Sequence, residues 1–469
     1  MADLPVAPAP ASRRGVEADV YHGVEVADPY RWLEDGESSD VAAWVATHNS
    51  RTREALDARP TWGRWHERLS ALVALPTTLG LTVAGEQLFV LERAAGADQY
   101  SLVVRSATDP AVPGRMLLDP AVLAADGAVA IDWFHLSHDG SKVAYGLSEG
   151  GTENSVLHVM DVATGAIDPL RIPHTRAASV AWLPDHSGFW YTVYPEGDEY
   201  HRHVRFHRIG TDPSADVVVW DKLPNPEAWP NVVASRDGRH VLVEVMVNWT
   251  QTDWHLLDTT TGEWTVVVEG VDALTSLSFH DDSLIGVTTR DAPNGRAVKA
   301  SLAAPADWRT IVSERPDVVL GAYAPFGDSL LVVASRVAVD RVERWSPGSD
   351  LPEELPLGVA SVVALDADDG RAFIAVGTFG APISVHRFTV ADGMQPWSAP
   401  SGVDLPELAV SQVFYPSLDG TQIPMFVAHR TDVTPSASTP LILTGYGGFA
   451  IAESPVWMPN LAAWCAAGG

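Results

Sequence analysis

The sequence predicts a mainly β fold: a seven-bladed β-propeller, preceded by N-terminal helices and followed by the opening strands of an α/β domain. Three observations support this prediction. Short β-rich runs that follow tight turns recur through the middle of the chain, helical patterns are confined to its beginning, and the turn-rich pattern stops near residue 405. We therefore predict three segments, at residues 1–75, 76–404 and 405–469.

The first segment carries two helical patterns. Ser38, Ser39 or Asp40 can cap a helix, because a short polar side chain accepts hydrogen bonds from the free amides of the first turn. The apolar side of a second helix is formed by Trp62, Trp65, Leu69, Leu72 and Val73. Pro76 follows soon after this pattern, where a helix is expected to have ended.

The middle segment repeats one unit, a turn followed by an inner strand of a blade. About seven copies recur at a spacing of roughly 40–53 residues, the period of four-stranded blades. The copies lie at residues 84–90, 137–145, 184–191, 235–243, 280–286, 326–332 and 368–375. Because one blade cannot bury both of its faces, the blades must stack around an axis. We expect much of the tryptophan content to pack between them.

The last segment changes pattern. Residues 413–429 predict a hairpin with Asp419 and Gly420 at its turn. Residues 440–444 form an apolar run that predicts a buried strand, and residues 461–465 predict a helix that ends at Gly468. Antiparallel strands followed by a first crossover are typical of the beginning of an α/β-hydrolase sheet.

Composition excludes several classes of protein. The 469 residues include 31 Lys and Arg against 60 Asp and Glu, so the net charge of −29 argues against nucleic-acid binding, which needs clustered positive charge. The lone Cys465 cannot form an internal disulfide, which fits a reducing cytoplasm. Residues 1–20 lack the apolar core of a secretory signal, and we find no run long enough to span a membrane. We expect a cytoplasmic protein without a cofactor.

Several stretches resemble the prolyl oligopeptidase family of serine peptidases. The resemblance covers essentially the whole chain and is strongest at residues 21–35, which include Asp-Pro-Tyr-Arg-Trp-Leu-Glu-Asp, at 180–216, and at 413–449. It implies that the N-terminal helices belong to a hydrolase domain and that the propeller admits only short peptides. In that family the nucleophile, the acid and the histidine lie further along the chain. We therefore expect these 469 residues to be an N-terminal portion that is inactive alone.

The resemblance also assigns roles to the turn Gly-Tyr-Gly-Gly-Phe. It implies that the Tyr446 hydroxyl donates to the oxyanion and that Phe449 forms the aromatic wall of a proline-binding pocket. Gly447 and Gly448 would let the backbone turn sharply beside the substrate. A sister branch that cleaves after basic residues usually has Ser-Tyr in place of the last two residues. The turn therefore favours short proline-containing peptides as substrates, while the oligomeric state stays open.

The residues leave one alternative class of function open. A serine hydrolase needs a nucleophile on a sharp strand-to-helix turn, and we find no serine in that context; serines near glycines, such as Ser141 and Ser155, lie in predicted blade hairpins. The alternative is a non-catalytic propeller that binds peptides or proteins. His201, His203 and His207 share one strand parity but show no obvious carboxylate partner, so we predict a polar strand edge and not a metal site.

Overall fold

The computed structural model describes residues 8–124, 127–368, 370–399, 405–449 and 451–469. It divides into two compact units, Met1–Val73 and Ala74–Gly469. The division lies two residues before the first predicted boundary. The second predicted boundary, at 404, and Asp369 of the last repeat copy lie outside the described residues.

The first unit contains the two predicted helices and a hairpin that was not predicted. Its elements are β1 (Ala18–Tyr21), β2 (Val24–Ala27), a 3₁₀ helix (Arg31–Glu34), α1 (Ser39–Asp57) and α2 (Trp62–Val73). The hairpin turns at Gly23, whose φ of 82° suits glycine. Ser38 caps α1, because its side chain accepts a hydrogen bond of 3.2 Å from the Asp40 amide. Both helix predictions are confirmed.

The first four blades are each built from consecutive antiparallel strands. Blade 1 comprises β3 (Thr77–Ala84), β4 (Gln87–Arg93), β5 (Ser101–Ser106) and β6 (Arg115–Leu118), and the short helix α3 (Pro120–Leu123) follows it. Blade 2 comprises β7 (Val129–Leu136), β8 (Lys142–Glu149) and β9 (Val156–Asp161). Blade 3 comprises β10 (Val180–Trp182), β11 (Gly188–Val193), β12 (His203–Arg208) and β13 (Val217–Trp220). Blade 4 comprises β14 (Trp229–Ala234), β15 (His240–Asn248), β16 (Gln251–Asp258) and β17 (Trp264–Val268).

Three further blades complete the ring. Blade 5 comprises β18 (Thr275–His280), β19 (Ser283–Thr288), β20 (Arg296–Ser301) and β21 (Arg309–Val312). Blade 6 comprises β22 (Val319–Phe326), β23 (Ser329–Arg336), β24 (Val339–Trp345) and β25 (Glu353–Leu355). Blade 7 comprises β26 (Ser361–Asp368), β27 (Arg371–Gly377), β28 (Ser384–Thr389) and β29 (Gly393–Ser398). Every repeat copy found in the sequence is the turn between the first two strands of a blade, so the seven-bladed propeller is confirmed.

The apolar core lies between the blades. Each pair of neighbouring blades shares one buried cluster, and a seventh cluster joins blade 7 to blade 1 through Leu81, Val90 and Phe373. Six tryptophans in these clusters are Trp133, Trp182, Trp190, Trp220, Trp254 and Trp397. The expectation that tryptophan packs between blades is confirmed, because only stacked neighbours remove both faces of a sheet from water.

The ring closes at blades 1 and 7 without a shared strand, since each of these sheets uses only its own strands. Side chains of blade 7 bind the backbone of blade 1 instead. The Val83 amide donates to Asp366 over 2.8 Å, the Gly85 amide donates to Asp368 over 2.8 Å, and Arg371 donates to the Gly85 carbonyl over 2.9 Å. The packed cluster and these hydrogen bonds together replace a strand ladder at this seam.

The C-terminal segment begins with the predicted hairpin, β30 (Leu408–Pro416) and β31 (Gln422–Arg430). Gly420 at its turn has a φ of 89°. The predicted helix is α4 (Pro459–Ala466), which ends two residues before Gly468. No helix of the described residues combines the length and the apolar character that a membrane span requires.

The prediction of a buried strand at residues 440–444 is wrong. The structure has no strand there, and Leu441 and Leu443 keep 79% and 75% of their surface exposed. A strand needs neighbours that bind its backbone amides and carbonyls. In the described part of the chain β30 and β31 pair only with each other, so the apolar run has no sheet to join.

Candidate functional site

The turn from Tyr446 to Phe449 has the backbone that its glycines suggested. Gly447 has a φ of 74°, and a side chain at Gly448 would begin 3.2 Å from the Tyr446 ring. Phe449 itself has a φ of 52°, a left-handed conformation that costs a residue with a side chain. Strain of this kind concentrates at functional sites, where the surrounding structure holds it. The turn presents two aromatic rings on a tightly defined backbone.

Three exposed aromatic side chains meet at this turn. The ring centroids of Tyr446 and Phe449 are 6.5 Å apart, and Trp249 from the β15–β16 connection lies 4.8 Å from Phe449. The side chains of Tyr446, Phe449 and Trp249 are 57%, 61% and 68% exposed. We call these three residues the aromatic cluster. Flat, exposed π faces can stack on a non-polar ring such as pyrrolidine, while the Tyr446 hydroxyl supplies a neutral hydrogen-bond donor.

Trp249 was missed in the sequence analysis. Its only signal is a large apolar residue in a polar turn, Asn248-Trp249-Thr250, where a tryptophan gains little from burial. The turn is held by its own polar groups. The Thr250 amide donates to Asn248 Oδ1 over 2.8 Å, and Thr250 Oγ1 donates to Asp272 over 2.7 Å. These bonds present the indole at the tip of a blade 4 connection.

The serines near glycines lie where the hairpin prediction placed them, and not on a nucleophile elbow. Ser141 is in the first turn of blade 2, and Ser155 is fully buried with its hydroxyl donating to Asp132. A serine–imidazole hydrogen bond of 3.1 Å does join Ser384 to His386 in β28. No carboxylate among the described residues is hydrogen-bonded to His386, so this pair lacks the third group that orients a catalytic base.

The histidines of blade 3 do have carboxylate partners, so the expectation that they lack them is wrong. His207 Nδ1 lies 2.9 Å from Asp216, and His201 Nδ1 lies 2.8 Å from Asp198. Asp216 comes after a turn, where strand parity gives no information about contacts. Its second oxygen accepts from Tyr191 over 2.9 Å, and burial and this carboxylate raise the pKa of the Tyr191 phenol.

His207, Asp216 and Tyr191 form one hydrogen-bonded network inside blade 3. His207 and Asp216 are almost completely buried, with side chains 0% and 2% exposed. Over the described ranges, no three His, Cys, Asp or Glu side chains converge in a way that could hold a metal ion. Buried polar groups that satisfy one another in this way fix the packing of a blade.

Comparison with known proteins agrees with this architecture. Residues 10–400 match the family model described as prolyl oligopeptidase, N-terminal beta-propeller domain. A prolyl endopeptidase of Elizabethkingia meningoseptica is 25% identical over 478 residues, covering 98% of this chain and 67% of that protein. Prolyl oligopeptidase A of Amanita bisporigera is 25% identical over 509 residues, covering 96% of this chain and 66% of that protein. The chain therefore spans about two thirds of the length of these curated relatives.

Solved structures show the same fold. One, from a study of two prolyl endopeptidases and their inter-domain dynamics, superposes with a TM-score of 0.90 and 28% identity, covering 98% of this chain and 70% of that one. Prolyl oligopeptidase B of Galerina marginata, bound to a 35mer hydrolysis and macrocyclization substrate, superposes with a TM-score of 0.87. Its identity is 21%, and the match covers 99% and 70% of the two chains. The second match bears on the fold alone.

Proposed function

The chain belongs to the prolyl oligopeptidase family, and we propose that it serves a serine-type prolyl endopeptidase that hydrolyses short proline-containing peptides. The observation that carries this proposal is the turn of Tyr446, Gly447, Gly448 and Phe449, where two exposed rings stand on a constrained backbone. The one Gly-x-Ser-x-Gly of the sequence, at residues 146–150, lies at the end of β8 and not on a strand-to-helix turn. Its Ser148 is 3% exposed and donates to Asp132 over 2.9 Å. These 469 residues therefore supply the propeller and the oxyanion turn, and should not hydrolyse peptides by themselves.

We assign separate roles to the two rings of the turn. The Tyr446 hydroxyl donates a hydrogen bond to the oxyanion that forms when the peptide carbonyl is attacked, and a donor in that position contributes about 3–4 kcal/mol to the lowering of the barrier. Phe449 receives the prolyl ring by stacking, because its flat phenyl face can lie against the apolar face of the pyrrolidine ring. The glycines keep the backbone close to the bound peptide.

The propeller acts as a filter in this proposal. Its ring is closed at the seam of blades 1 and 7, and Arg236 in a turn of blade 4 binds Asp368 of blade 7 over 2.7 Å. The first strands of several neighbouring blades contact one another, as β26 does with both β3 and β22, which places these strands on the inner side of the ring. An ion pair between blades 4 and 7 therefore joins distant parts of the ring. A peptide that passes through the centre of this closed ring must be narrow, so the ring admits short peptides and excludes folded proteins. We also place the protein in the cytoplasm.

A non-catalytic peptide-binding propeller is the second candidate. It is favoured by one observation, namely that no serine of the described residues combines a sharp turn with an imidazole and a carboxylate. In this case the aromatic cluster binds peptides without cleaving them. The two functions make different predictions about which peptides bind.

The test uses the purified 469-residue chain. We expect no labelling by a serine-reactive fluorophosphonate, and stoichiometric labelling would contradict the absence of a nucleophile. In calorimetric titrations a pentapeptide with one central proline should bind, and Phe449→Ala should weaken binding about tenfold through the lost stacking. Phe414→Ala, which removes another exposed phenylalanine, is the matched control. Equal affinity for a peptide with alanine in place of proline would favour the binding module.

A further inference from the structure

Trp249 is the member of the aromatic cluster that comes from the propeller. It stands at the tip of the β15–β16 connection and keeps 68% of its surface in water. Folding gains little by exposing a tryptophan, since the burial of its large apolar surface is what stabilises a protein. The turn beneath it is nevertheless held by the hydrogen bonds of Thr250 to Asn248 and Asp272. These hydrogen bonds hold the turn in a defined conformation that keeps the indole exposed.

The contact between Trp249 and Phe449 leaves a shared apolar face. Their ring centroids are 4.8 Å apart with the planes tilted by 46°, so no third ring fits between them. Tyr446 lies on the same cluster, 6.5 Å from Phe449. A ligand must therefore lie across the outer faces of the rings. If a prolyl ring occupies Phe449, the adjoining residue of the peptide has its Cα about 3.8 Å away and its side chain within reach of Trp249.

We propose that Trp249 is a substrate-contacting residue that receives an apolar side chain next to the proline of a bound peptide. This inference rests on the proposed function, because it takes Phe449 as the site of the prolyl ring. The indole face is apolar and carries the negative side of a quadrupole. It therefore favours leucine or an aromatic residue beside proline, gains nothing from glycine, and disfavours a carboxylate.

The test compares two pentapeptides in calorimetric titrations of the full chain, one with leucines and one with glycines on both sides of the proline. Trp249→Ala should weaken binding of the leucine peptide about tenfold and leave the glycine peptide nearly unchanged. Trp249→Phe should retain most of the preference, because it keeps an aromatic face. Val266→Ala, an exposed apolar position on the outer strand of the same blade, is the control and should bind both peptides as the parent chain does.

The outcomes separate this inference from the proposed function. Binding that is lost in Phe449→Ala but unchanged in Trp249→Ala overturns the role of Trp249 and leaves the proposed function standing. An equal loss of both peptides in Trp249→Ala, with an unchanged thermal midpoint, also overturns the inference, since the indole then only positions Phe449. If the parent chain binds neither peptide, the proposed function and this inference both fail.

Discussion

Asp366 at the seam of blades 1 and 7 should make stability depend on pH. Its carboxylate accepts from the Val83 amide over 2.8 Å and from the Ala367 amide over 2.9 Å. Burial raises its pKa to about 6, and the neighbouring Asp368 adds to this, while the two amides and Arg236 act in the opposite direction. Replacing the residue with asparagine keeps its shape and removes its titration.

The direction of this pH dependence follows from which state, folded or unfolded, binds more protons. The pKa of Asp366 is 3.8 in the unfolded chain and about 6 in the folded protein, so between these pH values the folded state binds more protons. The stability that Asp366 contributes is therefore fully present below pH 3.8 and is lost as the pH rises through about 6. With these two values, the wild-type chain should lose about 1.4 kcal/mol more than Asp366→Asn when the pH rises from about 5 to 8. Only the difference between the two proteins is used, because other carboxylates titrate in both.

Urea unfolding, followed by tryptophan fluorescence at both pH values, measures this difference. Asp419→Asn is the control. Asp419 accepts from the Thr421 amide over 3.0 Å, which holds the pKa of its carboxyl below the usual range. It is therefore ionised throughout the window in both states and should add no pH dependence. A free-energy difference between wild type and Asp366→Asn that stays constant from pH 5 to 8 would refute the reasoning.

Two further predictions concern polar contacts within the propeller. Asp216→Ala leaves His207 and Tyr191 buried without their partner and should lower the free energy of unfolding in urea by about 3–5 kcal/mol. Tyr191→Phe removes a single donor and should lower it by about 1–2 kcal/mol. A larger loss for Tyr191→Phe than for Asp216→Ala would contradict the network. Arg236 has a side chain 74% exposed, so Arg236→Ala should cost less than about 1 kcal/mol through its lost pair with Asp368. Thermal melts should show this cost disappear near 1 M salt, and a cost that persists there would contradict an electrostatic origin.

The blades were predictable because each one is encoded locally. A turn such as Ser235-Arg-Asp-Gly238 and the strand after it lie within a few residues of each other, and the same arrangement returns in every blade. The caps and turns are equally local, as Ser38 and Gly420 show. Their conformations depend on residue type, so sequence reasoning located them to within a few positions.

The prediction of a buried strand at residues 440–444 failed because a strand does not depend on local residues alone. Leu441 and Leu443 have the apolar character of a buried strand, but a strand also needs a neighbour. Composition records the preference of a segment and not whether a partner lies beside it. The turn at Tyr446–Phe449 was found because it matched a known pattern, and its role in catalysis stays a prediction.

The sequence by itself determined the kind of fold, the number of blades and the turn that carries Tyr446 and Phe449, because each depends on residues close together in the chain. Only the tertiary structure decided which distant residues meet. Trp249 contacts Phe449 because the C-terminal segment passes the tip of the β15–β16 connection. Asp366 binds the amide of Val83 because blades 7 and 1 meet where the ring closes. Such contacts depend on how whole sheets pack and on the three-dimensional path of the chain, which no local pattern of residues specifies.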